Sequence, residues 1–169
     1  MKSWIKHVTL VALLATVLPA QAAIQAWQFS GQIDSGHYNG TSYQGQFSFD
    51  DASLLDTGTE LISLSSLQFN FGGDQFGLST PALSAANAVF QDGLFTGLEW
   101  SVDSNNPLIG FTFVAGFADS SDAYLAYDTA LGFSGAGSLA YVAVVPEPAQ
   151  TALMLMGLGL VGVIARRRS

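Results

Sequence analysis

The chain contains no cysteine in its 169 residues. Disulfide staples, thiolate metal sites and thiol nucleophiles are therefore excluded. Positive charge is almost as scarce: the five Lys and Arg are Lys2, Lys6, Arg166, Arg167 and Arg168, so every one lies near a chain end. The long stretch between them can form no ion pair with a Lys or Arg of its own. Twelve of the thirteen acids fall between Asp34 and Asp128, which gives segment 23–144 a net charge near −12. Phosphate-rich nucleic acid is excluded as a partner, because its charges would be repelled. Adhesion to anionic lipid is disfavoured for the same reason. Such a charge aids solubility and destabilises the compact state through self-repulsion. No internal repeat recurs at a fixed period, which excludes solenoids and propellers.

Aromatic residues are abundant in the same stretch. All twelve Phe lie there, with Trp27 and Trp100. They recur with a period of two. Trp27, Phe29, Gly31 and Ile33 alternate with Gln28, Ser30, Gln32 and Asp34. Tyr43, Gly45, Phe47 and Phe49 alternate with Gln44, Gln46, Ser48 and Asp50. Leu67-Phe69-Phe71, Leu98-Trp100-Val102 and Phe111-Phe113-Ala115-Phe117 continue the pattern. Alternation of this kind predicts antiparallel strands with one dry and one wet face. Turn signals separate them at Asn39-Gly40, Gly72-Gly73-Asp74, Asp92-Gly93 and Asn105-Asn106-Pro107. The predicted strands are 24–34, 42–50, 60–71, 74–79, 87–92, 94–102, 108–117, 123–128 and 138–145. A short helical turn is expected at Asp51 to Leu55, and the glycine-rich stretch 128–138 is read as a loop. One domain of 23–144 in the all-β class follows: an antiparallel β-sandwich, jelly-roll-like, of about eight or nine strands.

The two ends read as addresses. Lys2 and Lys6 precede an apolar stretch from Val8 to Leu18, then Pro19 and the small-x-small sequence Ala20-Gln21-Ala22. This is the pattern of a secretory signal peptide over residues 1–22. Cleavage by signal peptidase is expected between Ala22 and Ala23, because cutting one residue later would place Gln21 where a small side chain is needed. At the other end Val145-Pro146-Glu147-Pro148 precedes an uncharged run from Ala149 to Ala165, then Arg166-Arg167-Arg168. As a helix, 149–165 would rise roughly 25 Å at about 1.5 Å per residue. That is a short but feasible span of a hydrocarbon core about 30 Å thick. The arginines would stay on the cytoplasmic side. Pro146 and Pro148 favour an extended, protease-accessible backbone. Gly157, Gly159 and Gly162 match the spacing of a dinucleotide fingerprint, but no strand precedes them and no acid follows; they read as small residues in a membrane helix.

Segment 145–169 resembles the PEP-CTERM sorting signal of exported bacterial proteins. Phe47-Ser48-Phe49-Asp50-Asp51, Thr57-Gly58-Thr59-Glu60 and Leu67-Gln68-Phe69-Asn70-Phe71 are similar to a strand-loop-strand of small proteins that carry such tails. The resemblance implies recognition of Pro146-Glu147-Pro148 by an exosortase and cleavage near that motif. It also implies passage through the export machinery, at least transient residence in the inner membrane, and delivery to the cell surface or extracellular matrix. It implies no activity.

Chemistry in the central domain is sparse. Its one histidine, His37, sits in a turn with no nucleophile motif beside it. Paired carboxylates could hydrolyse glycosides, but no pair stands out. No cofactor is expected, with one candidate exception. Hard cations such as calcium need several oxygen ligands, and Asp50, Asp51, Asp56 and Glu60 form one cluster while Asp119 and Asp122 form another. Tyr38, Tyr43, Tyr124 and Tyr127 are candidate platforms for a sugar. The expected function is an exported, membrane-sorted, non-enzymatic surface or matrix protein; the alternative is a calcium-dependent carbohydrate-binding module of the exopolysaccharide matrix.

Overall fold

The computed structural model describes residues 24–105 and 107–144. Within them the alternating segments become nine strands: β1 (Ile24–Ile33), β2 (Ser42–Asp50), β3 (Thr59–Phe71), β4 (Asp74–Gly77), β5 (Asn87–Gln91), β6 (Leu94–Asn105), β7 (Leu108–Val114), β8 (Tyr124–Thr129) and β9 (Ser134–Val144). All pairings are antiparallel. The Asp51–Ser53 segment is a 3-10 turn, as the sequence predicted near that point, and Ser120–Asp122 forms another.

The sandwich expectation is corrected. The strand order β2-β1-β9-β8-β7-β6-β5-β3 returns to β2, so eight strands close into one barrel, with β4 added beside β3. Closure depends on β3. It is long enough for Thr59–Ser63 to pair with β5 while Leu64–Asn70 pairs with β2. The register shift between β2 and β3 at Ser48/Phe49 lies where one partnership gives way to the other. Period-two patterning is the same in a sandwich and a barrel, so the alternation could not separate them.

The glycine-rich stretch read as a loop is mostly strand. Only residues 130–133 are loop, and Gly135 and Gly137 lie in β9 opposite Tyr127 and Leu125. Their lack of a side chain marks close approach within the sheet. The same holds across β1 and β2: Gly45 faces Phe29 and Gly31 faces Tyr43. A Cβ at Gly31 would collide with the Tyr43 ring and the Ser138 carbonyl, and one at Gly45 with the Phe29 ring. Large and small residues thus alternate across the lumen, as a narrow barrel requires.

Aromatic side chains fill that lumen. Phe69 and Phe113 are fully buried and meet edge to face at 4.9 Å. Phe29 joins them at 5.7 and 5.3 Å, Trp100 packs on Phe111 at 5.2 Å, and Trp27 lies on Phe95 at 4.6 Å. Each buried Phe contributes about 1.5–3 kcal/mol through burial, and each favourable ring pair about 0.5–1.5 kcal/mol more. An eight-stranded barrel has just enough room for such filling.

Two tyrosines tie the lumen to the backbone. The Tyr43 hydroxyl donates to the Ser138 carbonyl, and the Tyr141 hydroxyl accepts from the Leu98 N–H at 3.2 Å. Burial pushes both phenols far above their ordinary value; the Asp34 charge adds to the effect at Tyr43, and the bond from Leu98 opposes it at Tyr141. Each remains neutral in the fold where the unfolded chain would already ionise. Their stabilisation is therefore complete below about pH 10 and declines as pH rises beyond it. A spectrophotometric titration at 295 nm should show two phenols that ionise only as the far-UV signature of the sheet disappears. Full phenolate absorbance in a still-native barrel would contradict this assignment. Separately, Gly31→Ala should destabilise by about 1–3 kcal/mol through overpacking. Ser30→Ala, next along the strand on the outer face, should stay within about 0.5 kcal/mol in urea melts.

Candidate functional site

Antiparallel order fixes which features share an end of the barrel. Ile24 opens β1 and Val144 closes β9, and the two strands are neighbours with Ala26 opposite Val144. Both chain ends therefore leave from one rim. That rim also carries the connection from β2 to β3, the Asp92-Gly93 turn and the connection from β7 to β8. The cleavage residues Ala20, Ala22 and Ala23 lie outside the described residues. So do the sorting residues Val145, Pro146, Glu147, Pro148, Arg166, Arg167 and Arg168 and the proposed membrane segment 149–165. No helix among the described residues is long and apolar enough to cross a membrane.

The acids singled out for calcium all sit at this rim, and several have partners within the chain. Asp50 Oδ1 accepts from the Ala52 N–H at 2.9 Å and caps the first 3-10 turn. Asp51 Oδ2 accepts from Gln25 Nε2 at 2.7 Å. Glu60 receives the N–H groups of Leu55 and Thr57 at 2.7 and 3.2 Å. Asp119 Oδ1 accepts from the Ser121 N–H at 2.7 Å, capping the second turn that Asp122 ends. Asp56 stands at positive φ in the β2–β3 connection. Bonds from Ser121 hold the Asp119 carboxyl below its ordinary value. The Gly58 N–H, then Gln91, does the same for Asp92, an acid the sequence had not singled out. Among the described residues no three acidic or imidazole side chains converge as a metal would need. The geometry is that of turns in which carboxylates satisfy backbone donors.

The candidate sugar platforms separate. Tyr43 and Tyr127 are 2% and 3% exposed and belong to the core. Tyr38 packs on Phe71 and Tyr127, and its N–H donates to the Tyr127 hydroxyl at 2.9 Å. Tyr124 alone of the four is well exposed. His37 lies at the opposite rim, its ring stacked on Phe133 at 4.5 Å. It makes no side-chain hydrogen bond to a serine or carboxylate among the described residues, so no Ser-His-Asp relay is assembled there.

A feature the sequence reading passed over lies on the outer face of β9, β1, β2, β3 and β4. Register places Gln28, Gln46 and Gln68 in one row across three strands and Ser30, Gln44 and Asn70 in the next. Gln46 Nε2 donates to Gln68 Oε1 at 2.9 Å, and Ser48 and Ser66 share a hydrogen bond at 2.6 Å. Two adjoining hollows of about 470 and 590 Å³ run over these rows and share Gln46 and Gln68. The first is walled on its β9 side by Ala140 and Val142. The signal was present in the sequence as the wet half of each alternation, but only closure shows that these two rows span three neighbouring strands.

The distribution of carboxylates predicts the response to calcium. With Asp50, Glu60 and Asp119 already accepting backbone N–H groups and Asp51 accepting from Gln25, melting temperature should be equal in calcium and in EDTA at fixed ionic strength. A rise of several degrees in calcium would show that the acids regroup around the ion.

The family model of the PEP-CTERM protein-sorting motif matches residues 144–169, beginning at the last residue of β9. No curated protein and no solved structure matches the chain. The segment that follows the barrel carries a PEP-CTERM sorting motif, a signal that implies export and processing by an exosortase.

Proposed function

We propose that this chain is exported, held transiently by its C-terminal segment in the inner membrane, and cut near Val145–Pro148 to release a non-enzymatic barrel to the cell surface or matrix. The observation that carries this reading is the boundary. The matched motif starts at residue 144, where β9 ends, so no strand is lost if everything beyond is removed. The signal-peptide reading places the other cut just before β1, beside the same edge of the barrel. A folded domain can thus pass through both processing steps with its hydrogen-bonded circuit intact.

Support for a non-enzymatic role comes from the site chemistry. The lumen is packed with aromatic rings, the rim carboxylates cap turns, and His37 stacks on a phenylalanine. Signal peptidase, the export machinery and an exosortase are the partners this route requires.

Intact mass spectrometry of protein recovered from its native host tests the route. The expected mass corresponds to a chain that starts at Ala23 and ends within or near Val145–Pro148. Recovery of a species with Met1 and Ser169 both attached would refute export and processing together. Replacing Pro146 and Pro148 by Ala should leave the barrel's melting temperature unchanged and shift the recovered protein to the uncut, membrane-held form.

A further inference from the structure

The amide rows on the outer face are unlike the rest of this acidic surface. From Gln28 to Gln68 and from Ser30 to Asn70 they contain no charged side chain, although the domain has twelve acids and no Lys or Arg. Acids appear beyond the rows, at Asp50 towards one end of the strands and at Asp34 and Asp74 towards the other. Amides and hydroxyls offer donors and acceptors together. The bond between Gln46 and Gln68 uses one donor and one acceptor, and Gln46 Oε1 and Gln68 Nε2 make no hydrogen bond of their own among the described residues. Gln28 and Gln44 make no side-chain hydrogen bond among the described residues. Strand spacing of about 4.8 Å repeats this mixed presentation at regular steps across the sheet.

We infer that this face binds a neutral polysaccharide chain, laid across β1, β2 and β3 in the hollows above Gln46 and Gln68. Charge decides among occupants. A polyanion would meet flanking carboxylates with no cation to offset them, and a polycation would be drawn to the rim acids and away from the rows. A peptide strand finds no unpaired backbone in β1, β2 or β3, where the rows lie, because each is bonded on both sides. A second copy of the chain could pair its amides, but each copy carries a net charge of −8, with segment 23–144 near −12, and repels the other. A neutral, hydroxyl-rich chain meets none of these penalties. Binding here needs neither calcium nor an exposed aromatic platform. The inference rests on the proposed release into an extracellular matrix only for its setting; the surface chemistry stands by itself.

Affinity electrophoresis under native conditions tests it, with the full chain in a detergent that has no sugar headgroup. Gels contain a β-glucan, a galactomannan or a dextran, with alginate as the anionic comparison. Retardation is expected in at least one neutral gel, with and without EDTA, and not in alginate. Gln46→Ala combined with Gln68→Ala should weaken it at least about fivefold, in line with two lost hydrogen bonds. Ser101→Ala, on the outer face of β6, should leave it unchanged; circular dichroism and melting would show all variants folded. The inference is overturned by free migration in all three neutral gels, by retardation that survives the double substitution, or by retardation that needs calcium. It is equally overturned if sedimentation shows a dimer that the double substitution splits, since the face would then serve a second copy. A failed mass test with retained binding would sink the export route and leave this face standing; the reverse result would do the opposite.

Discussion

Closure of the barrel depends on pairing a missing side chain with a large one. Gly31 makes room for Tyr43, Gly45 for Phe29, and Gly137 stands opposite Ile33 and Leu125. Without those gaps the aromatic rings of neighbouring strands could not share a lumen this narrow. With them, the rings interlock and the tyrosine hydroxyls reach backbone groups across the barrel. The domain has no disulfide and no salt bridge to a Lys or Arg of its own, so this dense interior must offset the repulsion among its acids. Core packing is thus the dominant source of stability here, more than in proteins that can distribute it over ion pairs.

Strand positions were largely legible because alternation is a local property. β2 and β5 follow runs bounded by turn residues, and β1, β3 and β6 differ from expectation by one to three residues at an end. What alternation could not encode was partnership. Whether β3 stays in one sheet or bends from β5 to β2 depends on contacts between residues distant in sequence. Glycines misled in one place: Gly135 and Gly137 read as loop because they lack side chains, yet that lack is what admits Tyr127 and Ile33 beside them.

The candidate site was legible at the C-terminal end, where the sorting motif matched at residues 144–169 is written in linear order. Acid clusters suggested an ion because proximity in sequence says nothing about which lone pairs the backbone already uses. Asp50, Glu60 and Asp119 turned out to be occupied by the N–H groups of their own turns. The amide face was invisible for the opposite reason. Its members are spread over three strands, and each is unremarkable until Gln28, Gln46 and Gln68 are set in register.

The seam between β1 and β9 has a further consequence for how the molecule matures. Ser35 and Ala136, 101 positions apart, are joined across it, and Val144 completes it beside Ala26. The first strand must wait for the last before its edge is covered. On the proposed export route, the leading part of the sheet would therefore stand open during vectorial passage, with unsatisfied edge donors and bare phenylalanines. It can seal only when the final strand has emerged. That strand ends just ahead of the segment that the proposed route would hold in the bilayer, so on that route completion of folding and arrest at the membrane would be nearly simultaneous events.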